Sequence, residues 1–299
     1  MHFDSIELAL PLIKVGLYAT SLFACGSVLF SHLYKSDISI VEEELYQHIK
    51  KLCLIGIALV IINLCANIVW LSGGEFEALL DPDMIDLVLF STSGKLQVLL
   101  SLGFVGILIA TKIRIWFFTL LGIFTVLSSY ALSGHTGVYE PTLLLKPLIM
   151  VHLLIACFWA GSFVPLLILM KEHEELAAPT LEHFGKIATW AIPVLLISGL
   201  TMSWFIAGGF HGLTATPYGW MLLGKLSIVI LVLGLAGLNK FRLVPNLSNV
   251  GDGNNYHKIA TEKLRRSIRI EIVLILIILL ATAIFTTLIS PADLGHRIS

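Results

Sequence analysis

Long apolar runs dominate the chain, broken by short polar segments. A helix needs roughly 20 mainly apolar residues to cross the hydrocarbon core of a bilayer. Eight runs approach or exceed that length: about 8–30, 48–71, 94–111, 115–132, 147–170, 186–208, 220–240 and 268–290. The pattern predicts an all-α integral membrane protein with about eight transmembrane helices. Only Thr111-Lys112-Ile113-Arg114 separates runs three and four, which predicts a tight turn. Two polar segments are longer. Residues 72–93 are rich in Gly, Asp and Glu, and residues 241–267 contain Gly251-Asp252-Gly253-Asn254-Asn255, a loop signal. Neither can hold a soluble domain. The start, Met1 to Glu7, is polar and acidic rather than basic. The first run is therefore expected to be a resident helix rather than a cleavable signal.

Positive charge sets the expected orientation. With the N-terminus outside, the inner segments hold Lys35, Lys50, Lys51, Lys112, Arg114, Lys171, Lys186, Lys240, Arg242, Lys258, Lys263, Arg265, Arg266 and Arg269. The outer segments hold Lys95, Lys146 and Arg297. Fourteen against three places both termini outside, in the periplasm if the membrane is a Gram-negative inner membrane. Asp4, Glu7, Glu75, Glu77, Asp81, Asp83, Asp86, Glu140 and Asp293 then make the outer side acidic. Such a surface raises the local cation concentration.

The pattern also repeats. Run three opens with Gly94-Lys95-Leu96 and ends at Lys112-Ile113-Arg114; run seven carries Gly224-Lys225-Leu226 and ends at Lys240-Phe241-Arg242. Runs two and six leave through Trp70…Gly73-Gly74 and Trp204…Gly208-Gly209. Gly26-Ser27 of run one matches Gly161-Ser162 of run five. Four helices per half make the repeat parallel, with a pseudo-axis along the membrane normal. The expected division is 1–132 and 133–299, two halves of one membrane domain.

Composition agrees with the pattern. The chain has 299 residues, 57% of them hydrophobic and 13% charged, and a mean hydropathy of +0.92. Soluble domains are about a quarter charged. A net charge of −1 carries no nucleic-acid footprint. Cys25, Cys53, Cys65 and Cys157 fall inside apolar runs without motif spacing, so no disulfide framework is expected. The sequence has no nucleophile triad and no phosphate-cradling loop, which points away from an enzyme and from ATP-driven pumping.

Metal-binding or charged side chains at membrane depth are the informative ones, because burying them costs free energy. His152 lies about five residues into run five, so about 7 Å below the outer surface at 1.5 Å per residue. Its imidazole can bind a metal or haem iron, or can bond to a neighbouring helix. Ala156 and Trp159 continue its face. His135, in Ser133-Gly134-His135-Thr136-Gly137, and His211, after Gly208-Gly209, are expected on the same outer side. Met150, Met202 and Met221 fall within roughly two turns of that surface. Imidazole with thioether suits copper, and thioether favours Cu(I). Met1-His2 offers a further chelating tail. His32 and His48 can face one another near the inner surface, with Cys25 and Cys53 at similar depth. Lys225 is a half-buried cation that can snorkel, pair with a carboxylate or bind an anion. Pro165 and Pro193 are expected to kink runs five and six.

These residues resemble a known family. The stretch from Val151 through His152, Ala156 and Trp159 to Gly161 resembles the His-…-Ala-x-x-Trp-x-Gly helix of the copper resistance D (CopD/PcoD) family. Phe184-Gly185-Lys186-Ile187-Ala188 with Ser198-Gly199-Leu200 resembles its next helix. Pro217-Tyr218-Gly219-Trp220-Met221-Leu222-Leu223-Gly224-Lys225-Leu226, closing on Leu238-Asn239-Lys240, resembles the one after. Ser133-Gly134-His135 resembles the family's exit from helix four. Ser162, Trp220 and Lys240 depart from the family's Gly, Arg and Arg. The resemblance covers roughly 130–245 well and the first half in topology. It implies an eight-helix protein of the cell inner membrane that handles copper, as Cu(I) or Cu(II), moving it toward the cytoplasm. It also implies a periplasmic copper-binding partner of the CopC type.

The expected function is copper transport or uptake. His135, His152 and His211, with Met150, Met202 or Met221, capture the ion at the outer face, and Trp159, Gly161 and Lys225 shape the path. The alternatives are a membrane haem b or quinone-linked redox protein, or a non-transporting assembly or sensor subunit.

Overall fold

The structure, a computed structural model, describes residues 5–35, 40–132, 142–245 and 255–288. Among them every regular element is helical: α1 (Ser5–Leu33), α2 (Glu42–Leu71), a 3₁₀ turn (Phe76–Leu80), α3 (Pro82–Phe90), α4 (Thr92–Ile113), α5 (Trp116–Ala131), α6 (Thr142–Gly161), α7 (Phe163–Glu172), α8 (Glu174–Ala207), α9 (Phe210–Ala215), α10 (Pro217–Leu238), a π turn (Asn239–Leu243) and α11 (Asn255–Leu288). Among the described residues, seven segments are long and apolar enough to span a membrane. They are α1, α2, α4, α6 with α7, α8, α10 with its π turn, and α11. The fourth expected run becomes α5, which is apolar but only 16 residues long. The chain is thus an all-α, multi-pass membrane protein.

The two most covered spans are α1 and α6–α7, and they form the centre. Ala24, Cys25, Ser27, Val28 and Phe30 on α1 are sealed from the surroundings, as are Ser162, Leu169 and Met170. The cause is residue size. In lipid, helices associate through close packing rather than a hydrophobic drive, so small residues gather at contacts. At Gly26 a Cβ would stand 2.1 Å from the Cys157 carbonyl oxygen; at Gly161 a Cβ would stand 2.5 Å from the Leu22 carbonyl oxygen. Each glycine thus faces the carbonyl four residues before the other. The contact is reciprocal, and it joins the two positions matched in the sequence repeat.

Run five is broken at Ser162, where α6 ends and α7 begins. Pro165 lacks the N–H that would bond the Gly161 carbonyl, which removes one rung of the α-helical ladder at this break. Run six continues without a break as α8, with Pro179 and Pro193 inside it. The expected turn between runs three and four is present. Arg114 closes α4 in the left-handed region (φ 56°), its N–H on the Ala110 carbonyl at 2.8 Å, and its guanidinium meets Glu42 at 2.7 Å. Both glycine pairs expected to leave the membrane have positive φ; Gly73-Gly74 leads into the 3₁₀ turn before α3, and Gly208-Gly209 leads into α9. Ser91 then caps Gly94 of α4, and Thr216 caps Gly219 of α10, each at 3.0 Å. The caps reveal a register difference. Gly94-Lys95 lies in the first turn of α4, whereas Gly224-Lys225 lies about two turns into α10.

Candidate functional site

Helix α6 carries His152 toward α8. The imidazole Nδ1 lies 3.0 Å from the Leu195 carbonyl oxygen and 3.1 Å from the Ser198 hydroxyl. A carbonyl only accepts, so Nδ1 is the protonated nitrogen and donates. Ser198 also donates to Leu195 O, at 2.9 Å. Gly199 makes the approach possible: a Cβ there would stand 3.0 Å from His152 Cε1. With its tautomer fixed, the ring keeps a lone pair at Nε2. Metal-binding histidines are oriented in this way, one nitrogen on a carbonyl and the other on the metal.

Met202 follows Ser198 by one turn on α8 and is buried. Beside the pair, a groove of about 220 Å³ between α6 and α8 is lined by Leu144, Pro147, Val151, Val194, Ile197 and Ser198. Lys225 of α10 lies within electrostatic range of His152.

The other expected ligands separate. Met150 is two residues before His152, which puts it about 200° away around α6. It lines a different groove, of about 470 Å³, with Leu99, Phe124, Ser128 and Lys146. Met221 is 37% exposed on α10, a helix that packs mainly on α9 and α11 and is otherwise little covered. His211 is exposed on α9. His135 and Met1-His2 lie outside the described residues. Trp159 is buried edge-on against Phe163, ring centroids 5.8 Å apart, and Gly161 makes the central contact with α1. Among the described residues no three His, Cys, Asp or Glu side chains gather to hold a metal ion.

The inner histidines do not form a facing pair. His32 meets the Thr119 hydroxyl of α5 at 3.1 Å and lies beside Trp116. His48 Nε2 is buried without a partner. Cys25, Cys53 and Cys157 are buried free thiols, and Cys25 contacts Cys157 across the α1–α6 packing. Sequence reasoning used Ser198-Gly199 only as part of a motif. Their role in setting His152 was carried by long-range packing, but a small polar residue followed by glycine in an apolar run was the available signal.

Two family descriptions match the chain. "Copper resistance protein D" covers residues 178–285, and "Copper resistance protein D-like, N-terminal domain" covers residues 5–145. The likeness thus reaches the first half in sequence as well as topology. The chain is similar to the copper transport protein CutJ of Bacillus subtilis (strain 168), 27% identical over 238 residues, 74% of this chain and 42% of that protein. It is also similar to copper resistance protein D of Pseudomonas syringae pv. tomato, 26% identical over 129 residues, 40% of this chain and 41% of that protein. These alignments span about two fifths of each relative's length. No solved structure matches.

Proposed function

Because the chain belongs to the copper resistance protein D family, we propose that it carries copper across the bacterial inner membrane rather than acting as an enzyme. Copper is the cargo, and His152 is the first ligand within the bilayer. The observation that carries this reading is the fixed Nδ1–H bond to Leu195, which leaves Nε2 as a lone-pair donor in an apolar setting. Met202 supplies a buried thioether on the facing helix, one turn beyond Ser198. A neutral imidazole and a thioether form a soft set that suits Cu(I). Lys225 reinforces that choice, since its positive field opposes a doubly charged ion more than a singly charged one.

Capture at the outer face falls to His135 and His211, with Met221 at the rim. Both termini are read as periplasmic, α5 as the eighth crossing, and the reciprocal Gly26–Gly161 contact as the junction of two parallel halves. A periplasmic CopC-like protein is the expected donor. The test is metal analysis of the purified chain after exposure to Cu(I), with an absorption spectrum alongside. Bound copper that disappears in His152→Ala supports the reading. A Soret band in the purified protein moves His152 to a haem instead.

A further inference from the structure

Glu271 of α11 is a carboxylate inside a candidate membrane span and is 1% exposed. Charged groups at such depth are costly and mark ion or proton pathways. Its partner is Asn239, the first residue of the π turn that follows α10, whose side-chain amide donates to Glu271 Oε1. π turns inside helices are frequent at functional sites. Two further polar atoms in this region are buried without partners: Asn239 Oδ1 and, one turn before Glu271, Ser267 Oγ.

The chemistry of this set is specific. An ionised carboxylate only accepts, and the Asn239 NH₂ serves it. A protonated carboxyl must donate one bond, and the Asn239 Oδ1 serves that after an amide flip. Ser267 can likewise donate or accept. The Asn239 amide can therefore serve either protonation state of Glu271, where a fixed cation would hold only one.

Among the described residues, no charged group is shown bonded at the site. From α1, Lys14 Nζ bonds Thr286 O at 3.2 Å, and Tyr18 bonds the Thr286 hydroxyl, fifteen residues along α11. His32, at the other end of α1, is bound to Thr119. From α7, Lys171 pairs with Glu172. From α10 and its π turn, Lys225 lies near His152, Lys240 bonds Thr189, and Arg242 is exposed. On α11 itself, Lys258, Lys263 and Arg266 are exposed. Arg265 bonds the Met170 carbonyl, and both it and Arg269 approach Glu262.

We propose that Glu271, with Asn239 and Ser267, is a proton-exchange site buried in the second half of the bundle, and that its proton is traded for the copper ion. The trade, but not the proton site, rests on the copper reading above. Cu(I) on neutral ligands brings one positive charge into the bundle, and a proton leaving Glu271 removes one. A one-for-one exchange moves no net charge.

The full chain in lipid tests both parts. Without copper, the infrared difference spectrum between two pH values should show a carboxylic-acid carbonyl band. The band should be missing in Glu271→Gln and displaced in Glu271→Asp, which keeps a titratable group. Identical spectra for wild type and Glu271→Gln overturn the proton site. In vesicles acidic inside by one pH unit with Cu(I) outside, a one-for-one exchange accumulates internal copper about tenfold. Glu271→Gln should equilibrate copper without accumulating it. Equal accumulation in that variant overturns the trade. Copper that never enters wild-type vesicles overturns the copper reading and the trade together, while the infrared band still supports the proton site.

Discussion

Two residues around His152 make separable predictions. Gly199 lets α8 reach the ring, so Gly199→Val should push the imidazole off Leu195. Loss of such an orienting contact lowers metal affinity by about 10- to 100-fold, measurable by competition with a Cu(I) chelator. Unchanged affinity would show that the packing does not set the ligand. Lys225 acts in the opposite sense. Its ammonium opposes a cation at Nε2, so Lys225→Met should tighten Cu(I) binding by a few-fold. Weaker binding in that variant would assign Lys225 a supporting role instead. The sequence showed His152 by its depth alone. Helix periodicity already separates Met150 from His152 by about 200°. That Ser198 and Gly199 turn in was not readable, because it depends on which helix lies beside α6. Glu271 was legible as a carboxylate within the run 268–290. Its partner was not, since Asn239 lies 32 residues earlier.

At the scale of helices, the glycine contact between α1 and α6 holds the centre together. The isopropyl group of a valine at Gly26 sets its Cβ against the Cys157 carbonyl. Overpacking of a filled core costs about 1–3 kcal/mol, occasionally more, and backbone cannot give way as a side-chain tip can. Gly26→Val and Gly161→Val should each lower thermal stability in detergent. The double variant should lose less than the sum, because each single change already separates the same two helices. Strict additivity would mean that the positions do not share one contact. Apolar runs and glycine exits were readable along the chain because hydropathy and positive φ are local properties. The break at Ser162 was less so. Pro165 predicts a disturbance, and the structure resolves it as two helices, whereas Pro193 leaves α8 unbroken.

For the whole molecule, the orientation proposed from the Lys and Arg distribution is tested by labelling. Single cysteines placed at Lys112 and at Glu77, in a background without the four native thiols, should label from opposite sides of intact cells. Glu77 should react with an impermeant maleimide and Lys112 should not; the reverse pattern inverts the molecule. The copper proposal joins the family match to His152, whose imidazole is oriented by Leu195 and Ser198. The most direct measurement is therefore Cu(I) loading of the full-length chain in lipid nanodiscs, wild type against His152→Ala. The predicted result is copper bound by the wild type and affinity at least about tenfold lower in the variant, at equal yield of folded protein. Equal loading and affinity in the two proteins would contradict the account.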